Sequence, residues 1–320
     1  MKAWRVHSPE KIKLDTLPSK LPGEGQVKIK VSHAAITGSG IDLYAGKIPA
    51  IYPATLGRHG AGIVTEAGPN VMHLSRGDRI SFDPYAFKHI TDNTAFNGFL
   101  SDFAILNASD VFILPENVKS EDALFAGHIA LALSILEKLK IKKGEHIVIT
   151  EASIVGFILA QVAIYYQAVP ILIDSRADRL HLAEKLGVYY CINSVKDDVK
   201  GKVFGITAGT LSNCVAHFAS DMQSLDSSLK LASNSGRVVV AGRSGVSMTG
   251  SYLEVIAKQL SVFGVSNSAK LMPNAINLLA QKAVKVAPLI SATIPFEKAG
   301  EAIQDQFMYP LKHIMQVVVF

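Results

Sequence analysis

The chain has 320 residues, 49% hydrophobic and 18% charged, enough for about two domains with ample core. Its 32 Lys and Arg against 27 Asp and Glu give a net charge of +5, but the basic residues are dispersed. The densest run, Lys138-Leu139-Lys140-Ile141-Lys142-Lys143, reads as a solvated helix end, so no nucleic-acid partner is expected. No apolar run reaches the roughly 18 residues that span a bilayer, and no signal-peptide core follows Met1-Lys2-Ala3-Trp4-Arg5. No membrane partner is therefore expected. The 2 cysteines, Cys191 and Cys214, exclude a disulfide scaffold and fit buried thiols in a reducing cytoplasm.

Along the chain, Val27-Lys28-Ile29-Lys30-Val31 and Gly62-Ile63-Val64-Thr65-Glu66 alternate as short strands, with turns at Pro22-Gly23 and Gly68-Pro69-Asn70. From about residue 120 the character changes. A helical pattern over Asp122 to Leu139 precedes Gly144 and the strand Ile147-Val148-Ile149. A helix from Gly156 to Tyr166, the strand Pro170 to Asp174 and a helix from Arg179 to Leu186, closed by Gly187, come next. Val238 to Ala241, Leu260 to Phe263 and, after Pro288-Leu289-Ile290, Met315 to Val319 read as further strands. Apolar strands alternating with amphipathic helices imply a parallel sheet covered on both faces.

The stretch Gly57-Arg58-His59-Gly60-Ala61-Gly62, with Gly68, Val71 and Gly77-Asp78-Arg79 behind it, resembles the signature of the medium-chain, zinc-type alcohol dehydrogenases, the sorbitol and threonine dehydrogenase group. The resemblance spans essentially the whole chain. It implies an α/β protein with a GroES-like β-rich catalytic domain over 1–122 and 284–320 and a Rossmann doubly wound parallel-sheet domain over 123–283.

The glycine frame matches, but the metal chemistry does not. Where the family has Gly-His-Glu this chain has Gly57-Arg58-His59. Thr37-Gly38-Ser39-Gly40-Ile41-Asp42-Leu43-Tyr44-Ala45-Gly46 resembles the family's Cys-Gly-Ser-Asp-x-His-x-Tyr-x-Gly, with Thr37 for the zinc-binding Cys and Asp42 for the His. Counting back from Gly144 places Gly127-His128 at the fourth ligand position. Catalytic zinc needs three or four Cys, His or carboxylate ligands, and an arginine has no lone pair to give. No zinc is expected at this site. From Gly77-Asp78-Arg79 through Phe82-Asp83-Pro84-Tyr85 to Asn97-Gly98-Phe99-Leu100-Ser101-Asp102 there is no cysteine for the family's structural zinc either.

By position in the family, Thr37, Ser39, Asp42, Arg58 and His59 line the catalytic cleft, with His128 at its rim. Arg58 can stabilise developing oxyanion charge, His59 can act as general acid or base near neutrality, and Thr37 or Ser39 can hand on a proton. Each has a structural alternative: Arg58 paired with Asp42 in the vacated metal site, His59 a hydrogen-bonded structural histidine, Thr37 a small polar filler.

The family's Gly-x-Gly-x-x-Gly falls on Glu151-Ala152-Ser153-Ile154-Val155-Gly156, so only the third glycine survives. Ser153 is small enough for close approach of a pyrophosphate, with Val155 and Gly156 opening the helix. Glu151 competes with that phosphate for the helix dipole. Asp174, 21 residues after Ser153, is placed to accept from both ribose hydroxyls of NAD. Ser175, Arg176 and Arg179 can grip a 2′-phosphate, which Asp174 repels, so NAD is favoured over NADP. The leading expectation is a zinc-independent oxidoreductase moving hydride between NAD(H) and a small alcohol or carbonyl substrate. A quinone or enoyl (C=C) reductase and a catalytically inactive dehydrogenase-like scaffold are the alternatives. Resemblance to family dimers also implies a homodimer or homotetramer, with Leu260 to Phe263 pairing edge to edge.

Overall fold

The computed structural model describes residues 1–48, 50–82, 98–218, 222–241, 252–266 and 269–320. Asp83-Pro84-Tyr85 and Asn97, which frame the cysteine-free stretch, lie outside them. The chain forms two compact units, Met1–Gly127 with Met272–Gln281 and Val286–Phe320, and His128–Leu271 with Lys282–Lys285.

The strands run in chain order as follows. The first unit opens with β1 (Lys2–Ser8), β2 (Lys11–Thr16), β3 (Gln26–Ile36), β4 (Ala54–Thr55), β5 (Gly60–Ala67), β6 (Arg79–Phe82), β7 (Phe103–Asn107) and β8 (Val111–Ile113). The second unit holds β9 (His146–Ile149), β10 (Val169–Asp174), β11 (Tyr190–Asn193), β12 (Ser212–His217), β13 (Ala232–Val240) and β14 (Ser261–Gly264). The chain then returns to the first unit with β15 (Ile290–Pro295) and β16 (Met315–Val319).

In the first unit, β2, β1 and β4 form a small antiparallel sheet. A larger sheet runs β15-β16-β3-β5-β6-β8, with β7 also on β3. The alternation read over Val27 to Val31 appears as buried Val27, Ile29 and Val31. Lys28 is buried too, its stem covered while Nζ reaches Glu66 at 2.9 Å and lies over the Phe103 ring. Phe82 and Phe99 stack with ring centroids 3.7 Å apart in this core.

In the second unit the sheet is wholly parallel, ordered β11-β10-β9-β12-β13-β14. Ile171, Leu172 and Ile173 on β10 and Ile147, Val148 and Ile149 on β9 are all buried, as expected of strands covered on both faces. Successive strands fill positions outward from β9, first on one side and then on the other. The order therefore reverses between β9 and β12, where doubly wound sheets bind dinucleotides.

Three features differ from the sequence reading. The helix expected over Asp122 to Leu139 is two helices, Ser120–Ala123 and Ala126–Leu139, separated where the Phe125 amide donates to Asp122 O at 3.0 Å. β13 starts at Ala232, so Ser233-Asn234-Ser235-Gly236 lies in a strand although its composition favours a turn. The positive φ of Ser235 (56°) and the register shift against β12 between Ser212 and Cys214 accommodate it. The units also divide differently from 1–122 with 284–320 and 123–283. The helix Met272–Ala280 belongs to the first unit, tied there by Asn117 Nδ2 donating to Ala280 O at 2.9 Å. Lys282–Lys285 belongs to the second, where the buried Gln161 side chain donates to Lys285 O at 3.2 Å and accepts from Lys285 N at 2.7 Å. No helix of the described residues is long and apolar enough to cross a membrane.

Candidate active site

The C-terminal end of β3 gathers the first group of candidate residues. Thr37 follows β3 and caps the helix Gly38–Tyr44 in an extended conformation, its carbonyl accepting from the Gly40 and Ile41 amides at 3.0 and 3.1 Å. Its side chain is buried and makes no capping bond; Thr37 Oγ1 lies 3.2 Å from Ser39 Oγ instead. Asp42 sits one turn on, half-buried.

The Gly57-Arg58-His59 turn is held between two segments. The amides of Phe99 and Leu100 donate to Gly57 O and Leu56 O, both at 2.9 Å, and Ala35 N donates to His59 O at 2.9 Å. Gly57 has φ +97°, and a Cβ there would stand 2.8 Å from Leu100 N and 3.0 Å from Phe99 N. Only glycine fits that backbone. Arg58 and His59 are thereby presented, half-buried, beside the residue two before Thr37. All five first-unit candidates, Thr37, Ser39, Asp42, Arg58 and His59, come to this one end of β3.

The rest of the glycine signature is structural. Asp78 Oδ2 accepts from Ser75 N at 2.7 Å. Arg79 donates to Val118 O at 2.6 Å and to Glu116 O at 3.3 Å, clamping the segment before the helix Ser120–Ala123. Burial lowers the pKa of the nearby His33, against Glu121 and with Arg79.

At the positions where the family holds catalytic zinc, this chain offers a hydroxyl (Thr37), a guanidinium (Arg58), an imidazole (His59) and no side chain (Gly127). That donor set does not fit the metal. Among the described residues no group of three or more His, Cys, Asp or Glu could hold a metal ion. The thiols are no substitute: burial pushes Cys191 up to about 11 and Cys214 up to about 12.

In the second unit, the turn after β9 leads into the helix Ile154–Tyr165 with Ser153 at its N-cap, where Ser153 Oγ accepts from Gly156 N at 3.3 Å. The hydroxyl expected merely to tolerate a close phosphate thus has a capping role. A Cβ on Gly156 would strike Glu151 O, which accounts for the surviving third glycine. Val155 is half-buried in the same first turn. Asp174 ends β10, and its carboxylate joins two loops: Oδ2 accepts from Ala152 N and Oδ1 from Arg176 N, each at 2.8 Å.

Ser175 is exposed. The Arg176 guanidinium grips Asp178 (Nη2 to Oδ2 2.6 Å, Nε to Oδ1 3.1 Å), and that bond draws the Asp178 carboxyl below its usual range. Arg179 is half-buried; burial and then Arg176 lower its pKa, while Asp178, Asp174 and Glu151 oppose them. A turn into a helix N-terminus, a glycine admitting close approach of helix and strand, and an acid ending the adjacent strand fit a dinucleotide.

Sequence reasoning passed over two further groups at the C-terminal ends of these strands. Thr150 Oγ1 accepts from Phe218 N at 3.2 Å, linking the ends of β9 and β12. His217 Nδ1 lies 2.8 Å from Ser228 Oγ, both side chains buried. Neither belongs to a spaced motif, so only tertiary structure reveals them.

Residues 155–281 match the family described as zinc-binding dehydrogenase, and residues 23–116 match the alcohol dehydrogenase GroES-like domain. The chain is 27% identical over 340 residues to an uncharacterized zinc-type alcohol dehydrogenase-like protein of Haemophilus influenzae, covering 100% of this chain and 99% of the relative. It is 25% identical over 324 residues to the sorbitol dehydrogenase of Ovis aries, covering 93% and 91%. A structure described as a short chain alcohol dehydrogenase from E. coli CFT073, solved with NADH, superposes with a TM-score of 0.90 at 23% identity over 100% of this chain and 99% of that one. The chain belongs to the medium-chain dehydrogenase/reductase superfamily and is an alcohol dehydrogenase-like oxidoreductase of the zinc-type alcohol and sorbitol dehydrogenase family, with a GroES-like domain and a Rossmann domain.

Proposed function

We propose that this protein transfers hydride between NAD(H) and a small alcohol or carbonyl compound without zinc. The observation that carries the reading is the pairing of Asp174 at the end of β10 with a zinc position filled by Thr37, Arg58, His59 and Gly127. When bound, the nicotinamide accepts or supplies the hydride. The protein's part is the proton and the oxygen. In alcohol oxidation the Thr37 hydroxyl takes the substrate hydroxyl proton as its own passes to Ser39, 3.2 Å away, and Ser39 gives up its own proton to His59. Arg58 supplies the fixed positive charge that stabilises the alkoxide, with Asp42 balancing it, and His59 exchanges the relayed proton with water. Asp174 recognises the adenosine ribose, and the first-turn amide of Val155 is offered to the pyrophosphate, while that of Gly156 is held by the Ser153 cap. The same reading takes the working form as a homodimer in the cytoplasm, a second copy pairing along β14, where Val262 is exposed.

Calorimetric titration with NAD, NADH, NADP and NADPH tests the cofactor, and a panel of alcohols, ketones and enones tests the substrate class. Binding of NAD(H) with turnover of alcohols or ketones is expected. Turnover of enones alone would replace the reading with a C=C reductase, and absence of nucleotide binding would replace it with an inactive scaffold. Elemental analysis should find well below one zinc per chain; about one tightly bound zinc would overturn the metal-free mechanism.

A further inference from the structure

Two segments distant in sequence meet at the Asp174 carboxylate, the turn after β9 and the stretch running from Asp174 into the helix Ala177–Lys185. Ala152 N, immediately after Glu151, donates to Oδ2, and Arg176 N, immediately before the helix Ala177–Lys185, donates to Oδ1. The first turn of that helix carries Arg179. The Glu151 main chain is fixed against the start of the preceding helix, since no Cβ fits between Gly156 and Glu151 O. The exposed Glu151, next to Ala152, and the half-buried Arg179, in the helix that follows Asp174, are thus carried by the two segments this carboxylate joins. Arg179 also feels the field of both carboxylates. The other nearby cation, Arg176, is committed to Asp178 at 2.6 Å. Three carboxylates against two guanidiniums leave this edge net negative.

We propose that Glu151 is a specificity-determining residue for the nucleotide, acting as the counter-charge that keeps Arg179 from receiving a phosphate on the adenosine 2′-oxygen. This rests on the nucleotide-binding reading above and adds to it. A 2′-phosphate carries close to two negative charges at neutral pH. To bind here it must displace Glu151 from Arg179 and then sit between Glu151 and Asp174. A free 2′-hydroxyl meets no such obstacle and can donate to Asp174. The acid at the place of the first glycine therefore costs some phosphate attraction at the helix N-terminus and excludes the 2′-phosphorylated cofactor.

The test uses the full-length protein and two simple probes, 5′-AMP and adenosine 2′,5′-bisphosphate, titrated calorimetrically at low salt. Wild type should prefer 5′-AMP. Glu151→Gln should shift the ratio toward the bisphosphate by about tenfold, the effect of one nearby like charge, over and above any gain at the 5′-phosphate, which both probes share. Glu151→Ala, equally tolerable at an exposed position, should do the same. Adding Arg179→Met to Glu151→Gln should cancel the shift. An unchanged ratio in both Glu151 variants, or a shift that survives loss of Arg179, overturns the proposal and leaves nucleotide binding standing. If wild type binds neither 5′-AMP nor NAD, the nucleotide-binding reading falls, and this proposal with it.

Discussion

Replacing Asp174 with Asn keeps the side-chain shape and removes the charge that two backbone amides share. Each amide donates over 2.8 Å to a separate oxygen. Hydrogen bonds to a charged acceptor contribute about 1.5–3 kcal/mol each. Asn has a single acceptor oxygen, so its NH2 must face either Ala152 N or Arg176 N. With the site half-buried and water within reach, about 2 kcal/mol should be lost. In a unit of this size that lowers the melting temperature by about 4–8 °C. Circular dichroism melts of Asp174→Asn and wild type, with and without saturating NAD, separate the two roles of this carboxylate. Apo-protein melting reports the brace between the loops, and the difference in NAD-induced stabilisation reports the ribose contact. A variant melting within about 1 °C of wild type would refute the brace. An undiminished NAD-induced shift would refute the ribose contact.

Gly156→Ala should destabilise by about 1–3 kcal/mol through overlap with Glu151 O, exceeding the gain of about 1 kcal/mol from helix propensity; urea unfolding measures it. Thr37→Val should leave folding unchanged and cut kcat at least about a hundredfold, the usual scale of a lost proton-transfer group, whereas Thr37→Ser should retain most of it. Burial holds His33 and His146 below their ordinary 6.5, so the fold favours the neutral rings. Their contribution to stability is complete above that value and is lost as pH falls below it. The urea midpoint should therefore drop on going from about pH 7.5 to about pH 5.5, and less steeply in His146→Asn.

What the sequence made legible was local. The continuous apolar runs of β9 and β10 and the alternation in β3 follow from burial on two faces or one. The spacing of Gly57 and Gly156 records two places where backbone passes too close for a Cβ. The surprises were long-range. Asn117 and Gln161 decide which unit owns the helix Met272–Ala280 and the segment Lys282–Lys285 through bonds spanning 163 and 124 residues. No periodicity encodes such ties. Ser233 to Gly236 has turn composition and pairs with neither neighbouring strand, bulging between Ala232, opposite Ser212, and Arg237, opposite Cys214 and Ser261, with Ser235 N donating to Lys258 O at 2.7 Å. The same limit applies to the candidate sites: residue types named Arg58, His59 and Asp174, while the commitment of Arg176 to Asp178 and of Ser153 to its cap emerged only from the folded chain.

The position of β16 sets a schedule for the growing polypeptide. Gln316 and Val317 pair with Ile36 and Ala35, directly before Thr37, and Trp4 Nε1 donates to Phe296 O at 2.7 Å. One flank of the strand that carries the candidate proton-transfer residues therefore waits for a partner made about 280 residues later, roughly 15 s to a minute at ordinary translation rates. The whole second unit, His128–Leu271 with Lys282–Lys285, is synthesised within that interval. Through it, the His33–Ile36 end of β3, beyond the part that β7 covers, presents an unpaired edge of the kind that recruits foreign strands. Ribosome-bound chains halted before residue 315 should bind chaperones through that edge, and release of the last strand should end the association.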